Sequence, residues 1–549
     1  MSPGGAFRKT ACLLCGFAGA ASFALPARSA TGVRAVPILQ EPSSRPVFIG
    51  SPAVPHPVRV PLPPQHPFMA PDGRNNLHED AYMTDAHRGL GPLGKDMEQL
   101  STLLEGVCAS IVFDSAGRVI SVCVGLEAPK LVMLDPRTLD LLAFYPLPPR
   151  IPGSVNIFTD FAGGGYFYLD NADRVVVGTT TGHLLILAEQ EGPTGWSFSQ
   201  ERDYDLTGLL APGDKIVSAI PSWSGRIWFI TVQGMVGVLD PATGAAKAHQ
   251  LDAGIANSFS VDETGGIYVV SDKALYRFDL GPDGAPKVTW SEVYENIGIK
   301  KPGQGSPGSG TTPTLMGSEY VSITDNADPM NVVVYRRGKT VAGSRLVCKQ
   351  PVFQKGASDT DQSLIAAGNA MIVENNYGYS GPVATMNGGV TSPGLERVDI
   401  NPDGKGCHTV WKSAERAPSV VPKLSLANGL VYTYTKDPQD DGADVWYLTA
   451  IDFQVGETVY KRMAGEGFGF NNNYAPITIG PDASIYVGAL GGMVLLRDKV
   501  APTAGGSASP SPVQGDLTSR PLPATGTGPA AASLFAVAGA VAARRLRRR

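Results

Sequence analysis

From residue 108 to residue 498 the chain repeats one pattern of apolar and polar positions. A short apolar strand meets a turn of Asp, Asn or Gly type. A second strand rich in Val, Ile and Tyr follows, then a third ending in Asp, then a fourth. The first hairpin is visible in Ser110-Ile111-Val112-Phe113-Asp114 followed by Gly117-Arg118-Val119-Ile120. It returns in Phe259-Ser260-Val261-Asp262 before Gly266-Ile267-Tyr268-Val269, and in Pro476-Ile477-Thr478-Ile479 before Ile485-Tyr486-Val487. Eight such starts fall near residues 108, 165, 217, 258, 312, 362, 422 and 476. No stretch carries a 3.6-residue apolar period, so the pattern predicts an all-β chain with few helices.

Starts spaced by roughly 40–60 residues lie near the blade period of a β-propeller. The expected fold is a single propeller over residues 105–498, of eight blades, or seven if one start is miscounted. The last repeat stops after three strands at Leu495-Leu496-Arg497-Asp498, leaving two open edges to be closed. The Pro-rich arm of residues 30–104 is the available donor, and otherwise reads as extended chain rather than core. Two turns are more specific: Val238-Leu239-Asp240-Pro241-Ala242-Thr243-Gly244, with His249 beyond it, and Ala450-Ile451-Asp452 through Gly456 to Tyr460. They resemble the AxDxxTGxxxW repeat of quinoprotein dehydrogenase propellers, with Tyr460 in the Trp place. The resemblance implies the fold alone, since such repeats also occur in propellers without a cofactor. Quinoprotein alcohol dehydrogenases carry a vicinal disulfide beside their quinone. No two cysteines here are adjacent, so pyrroloquinoline quinone is not expected.

The two ends carry sorting information. Arg8 and Lys9 precede an apolar stretch, Ala11 to Leu25, and small residues around Ala27-Arg28-Ser29-Ala30. That order is a secretory signal peptide over residues 1–29. At the other end Leu522-Pro523-Ala524-Thr525-Gly526 precedes an apolar run, residues 529–543, and an Arg-rich tail. This resembles the LPxTG cell-wall sorting signal of Gram-positive surface proteins, which sortase cleaves between Thr and Gly. The resemblance implies covalent attachment of Thr525 to peptidoglycan, with the apolar run as a short transmembrane helix before processing. Residues 499–521, dominated by Ala, Pro, Gly, Ser and Thr, read as a disordered, wall-spanning stalk.

Composition sharpens this picture. Only 17 % of residues are charged, with 65 Gly and 45 Pro, as suits a turn-rich β protein. The removable ends are purely basic, so the formal charge of −5 becomes −13 for residues 30–526. Such a surface repels nucleic acid. Cys12 and Cys15 leave with the signal peptide, and an even number remains in an oxidising compartment. If Phe113 faces Arg118 across the first hairpin, Cys108 falls opposite Cys123. Cys348–Cys407 then follows by elimination.

Catalytic signatures are missing: the sequence holds no GxSxG, HExxH or P-loop, and Gly303-Gln304-Gly305-Ser306-Pro307-Gly308 reads as a surface loop. In a propeller, the loop after the second strand and the loop before the first share a face. On that face the blades starting near 312, 362 and 422 carry Asp325, Asn326, Asp328, Asp361, Asn375, Asn376, Tyr379, Asn471, Asn472 and Asn473. Lys423, on a channel-lining strand, is the expected cationic partner. Fixed oxygen ligands of this kind suit a sugar or a hard cation such as calcium, with Tyr377 or Tyr379 as a flat surface for a sugar ring. Asp437, Asp440, Asp441 and Asp444 lack the spacing of a calcium loop. No resident cofactor is expected. Binding of an extracellular ligand, a glycan, peptide or surface partner, is favoured over catalysis. The alternative is an extracellular enzyme, quinoprotein-like or a cation-dependent lactonase or lyase, working at the same face.

Overall fold

The computed structural model describes residues 33–40, 43–104, 106–125, 128–150, 160 and 162–500. The expected signal peptide, the pentapeptide Leu522–Gly526, the apolar run 529–543 and the stalk beyond residue 500 lie outside the described residues.

Eight antiparallel sheets form an eight-bladed propeller. The first strands of blades 1 to 8 begin at Val107, Phe167, Ile216, Ser260, Thr314, Ile365, Lys423 and Ile477, close to the eight repeat starts. Blades 1 to 6 each contain four consecutive strands. Blade burial follows the pattern that predicted it. Middle strands such as Val175–Gly178 and Ile227–Thr231 are buried along their whole length, because each is covered by blades on both faces. Outer strands alternate, as in Pro286–Val293. The hairpin turns share one device. The Oδ1 of Asp114, Asp170 and Asp262 accepts backbone N–H bonds from residues two and four further on, at 2.8–2.9 Å. The Asp240 and Asp452 turns work similarly, and Gly244 (φ 73°) and Gly456 (φ 75°) supply the left-handed position. Tyr460, in the Trp place of that repeat, is fully buried and donates to Pro92 O at 2.7 Å.

Blade 8 contains Ile477–Ile479, Ile485–Ala489 and Gly492–Asp498. Its outermost strand is Met97–Leu103 from the arm, paired antiparallel with Gly492–Asp498 over seven residues. The arm also adds Phe48–Gly50 outside blade 7 and Ala86–His87, in parallel, along its first strand Lys423–Ser425.

The arm is not merely extended chain. Every residue from Asn75 to His87 is buried. Here the chain sweeps around the axis and bonds the ends of the channel-lining strands. Ala81 O, Tyr82 O, Thr84 O and Asp85 O accept in turn from Val261 N, Leu315 N, Ala366 N and Leu424 N, at 2.8–3.0 Å. Those donors span blades 4 to 7, while Ala70 N donates to Leu169 O of blade 2 and Arg74 O accepts from Phe113 N of blade 1. The arm therefore plugs the propeller at the face of the Asp turns. Proline content hid this, because a buried loop needs only that its backbone groups find partners.

Both disulfides form as paired in the sequence. The register behind the first differs: Phe113 faces Val119, not Arg118, and a bulge at Ala109 restores Cys108 opposite Cys123. Cys348–Cys407 joins the outer strands of blades 5 and 6, closing a 59-residue separation. Replacing both Cys348 and Cys407 by Ser is expected to cost about 2–4 kcal/mol in urea unfolding. An unchanged midpoint would contradict a stapling role.

Candidate functional site

Among the described residues, chain covers the axis at both ends. Below it lies the arm, and above it leans the glycine-rich loop around residues 300–310. That loop is no free surface loop: Lys301 and Gln304 are buried. Gly303 N donates to Asp359 Oδ2 (2.8 Å), Tyr474 OH donates to Gly303 O (3.2 Å), and Lys301 Nζ reaches Ala327 O and Ser358 O. Close approach explains the glycine here, since a Cβ on Gly303 would lie 2.2 Å from Asp359 Oδ1. Between plug and loop remains a cavity of about 30 Å³ lined by His78, Tyr166, Asn257, Asp361, Ser363 and Tyr474, among others. That is room for about one or two waters.

At the cavity floor, His78 Nδ1 bonds Asp85 Oδ2 at 3.0 Å, and His78 Nε2 lies 3.4 Å from both Thr312 Oγ1 and Ser363 Oγ. Lys423 does reach inward, where its ammonium pairs with Asp85, both side chains fully buried. His78 and Asp85 were missed in the sequence. Their signal was the cluster His78-Glu79-Asp80 and Asp85-Ala86-His87 within the proline-rich arm.

The other expected site residues share the upper face, and most are turned on one another. Asp325 Oδ1 and Oδ2 accept from Asn331 N (2.8 Å) and Asn331 Nδ2 (2.7 Å). Asn326 Nδ2 donates to Asn296 Oδ1 and Ile299 O, and Asp328 Oδ1 accepts from Gly356 N. Asn376 Oδ1 accepts from Thr360 Oγ1 and Asp361 N, while its Nδ2 donates to Glu374 Oε1. Tyr379 OH donates to Asn471 Oδ1 (2.7 Å) and Asn473 Oδ1 (3.2 Å), its ring wholly buried. Asn471 Nδ2 continues to Thr385 Oγ1, and Asn472 bonds Ser419 Oγ and Ala475 O. The network ties loops of blades 6, 7 and 8 together. In the Asp-rich stretch Asp437 pairs with Lys461, Asp441 with Arg45 and Asp444 with Lys436. Among the described residues, no three His, Cys, Asp or Glu side chains come together to hold a metal ion.

Asp361 keeps one oxygen, Oδ1, without a hydrogen-bond partner. Burial pushes its carboxyl up to about 7, with the Gly305 backbone N–H opposing and the Asp359 charge adding. Asp359, buried under Gly303, is raised to about 6. Between the ordinary value of 3.8 and 7, the folded chain thus binds more protons at Asp361 than the unfolded chain does. Stability therefore falls as pH rises through that window. Asp361→Asn is expected to flatten the decline in melting temperature between about pH 4 and 7. A slope identical to wild type would contradict the assignment.

Open space lies at the rim instead. A groove of about 440 Å³ runs between blades 5 and 6, lined by Phe353, Gln354, Asn375, Ser392, Glu396 and Lys412. It adjoins a second of about 560 Å³ toward blade 7, and the two share Lys412, Ser413 and Ala414. Asn375 holds its lips together, donating to Ala357 O (2.9 Å) and Pro393 O (3.1 Å). In the second groove Lys461 Nζ bridges Glu415 and Asp437, each at 2.6 Å. These volumes are of ligand-pocket size.

No protein-family model matches the chain. An uncharacterized protein of Archaeoglobus fulgidus is 30 % identical over 322 residues, which are 52 % of this chain and 62 % of that one. The match thus spans less than two thirds of the relative's length. Among solved structures, Sqt1 from Chaetomium thermophilum aligns with TM-score 0.43 at 10 % identity, covering 69 % of this chain and 93 % of that chain. A streptogramin B lyase aligns with TM-score 0.34 at 11 % identity, covering 73 % and 97 %. The functional reading therefore rests on the chain's own residues.

Proposed function

We propose that this chain is an exported, sortase-anchored propeller that binds an extracellular ligand on its rim and carries out no chemistry on its axis. The observation that supports binding is the occlusion of the axis, where about 30 Å³ is left, beside an open rim groove of about 440 Å³. A substrate needs a cavity that holds it, and among the described residues the rim grooves are of that size. The motif order at the two ends supports display, with sortase and peptidoglycan as the covalent partners.

Two experiments separate the parts of this reading. In a Gram-positive host, Thr525→Ala is expected to shift the protein from the wall fraction to the membrane and medium. Unchanged resistance to boiling detergent would reject sortase linkage. For binding, beads carrying residues 30–521 are tested for retention on immobilised polysaccharides and extracellular proteins. Ala414→Trp, which fills the exposed junction of the two grooves, is expected to abolish retention without changing the melting temperature. Retention that survives it would move binding away from the rim.

A further inference from the structure

The groove between blades 5 and 6 has a chemistry of its own. Glu396 belongs to the strand Leu395–Ile400, where it shares a face with the buried apolar Val398 and Ile400. A carboxylate at such a position is costly unless its oxygens are paired. Its Oε1 is paired, accepting from Phe353 N at 2.8 Å and lying 3.0 Å from Lys412 Nζ. Its Oε2 has no partner among the described residues. Glu396 is only 2 % exposed, whereas the Lys412 side chain above it is 62 % exposed. The bond to Phe353 N also holds that residue at φ 62°, a left-handed conformation uncommon for an aromatic residue. Its half-buried ring packs on the core of blades 5 and 6 and against Gly394, where a Cβ would lie 2.8 Å from the ring.

Resting on the binding reading above, we propose that Phe353 and Glu396 form a subsite for one pyranose ring of a neutral glycan. The Phe353 ring carries the apolar face of the sugar. A sugar hydroxyl displaces the Lys412 ammonium and donates to the Glu396 carboxylate. The Lys412 ammonium, on a side chain 62 % exposed, returns to water, while the hydroxyl takes its place as donor, so the buried carboxylate stays partnered. The charges select against the other classes. Glu396 and the −13 of residues 30–526 repel anionic ligands. A cationic peptide side chain would have to approach through Lys412. A hydroxyl carries no charge and meets neither obstacle. Asn375, Ser392 and Gln354 along the same groove offer further polar contacts to neighbouring sugar units.

The test uses residues 30–521 on a printed array of neutral and anionic oligosaccharides, followed by calorimetric titration with the strongest neutral binder. Phe353→Ala and Glu396→Gln are each expected to weaken that binding at least tenfold, with cooperative unfolding retained. Lys412→Ala, which removes the group that the hydroxyl displaces, is expected to tighten it, a result that a merely structural role for Glu396 would not produce. Three outcomes overturn the proposal: no neutral oligosaccharide bound, neutral binding unaffected by Phe353→Ala and Glu396→Gln, or binding lost in Lys412→Ala with anionic sugars preferred. In each case the bead-retention result with Ala414→Trp still decides separately whether the rim binds a ligand.

Discussion

A chain beginning at residue 105 instead of residue 30 is expected not to fold as a soluble monomer. Three losses add up. Without Met97–Leu103, the strand Gly492–Asp498 becomes an open, largely apolar edge, a template for aggregation. Without residues 75–87, the backbone N–H groups of Val261, Leu315, Ala366 and Leu424 lose their acceptors. Without Asp85, the buried Lys423 ammonium is left alone, at a cost of about 3–5 kcal/mol. Together these are comparable to the roughly 5–15 kcal/mol that a folded chain has in hand. Size-exclusion chromatography and urea unfolding of the two chains check this. A truncated monomer with the same unfolding midpoint would contradict the closure.

The ion pair itself gives the second large effect. Lys423 and Asp85 are fully buried, and Asp85 is further bonded by His78. Lys423→Met alone, or Asp85→Asn alone, is expected to destabilise residues 30–521 by about 3–5 kcal/mol, since each leaves one buried group uncompensated. The double variant should be much less unstable than the sum of the two, because breaking a buried pair is worse than removing it. Urea unfolding of the four chains completes the cycle. Additive losses would show that the two side chains do not act as a pair.

Much of the fold is legible in the sequence because the propeller is a local repeat. Each Asp turn acts within four residues, as at Asp262, and middle strands such as Ile267–Val270 announce their double burial by an unbroken apolar run. The arm was legible only as a strand donor. Its plug depends on backbone groups meeting strands up to 339 residues away, as Asp85 O meets Leu424 N, and backbone hydrogen bonds leave no mark in residue type. The Asn and Asp residues of the upper face lie on adjoining loops, but residue type alone does not tell a side chain facing a ligand from one fastening a turn. Asn376 and Asn471 illustrate the second role, with donors and acceptors bonded inside the protein. Glu396 did leave a trace, an acid in phase with Val398 and Ile400, which counts as a signal only when strand alternation is compared with charge. Phe353 left none, since its position follows from a backbone conformation.

Assigning function to the rim requires a blocked axis, and hydrogen–deuterium exchange of residues 75–87 in a chain of residues 30–521 tests it most directly. These amides bond within the plug, as Asp85 N does to His78 O, and they lie against the inner strands. They are predicted to exchange as slowly as the middle strands, over hours, and to report the same opening free energy as global unfolding. Exchange within seconds, as for an exposed loop, would mean that the axis is open and would contradict the assignment of function to the rim.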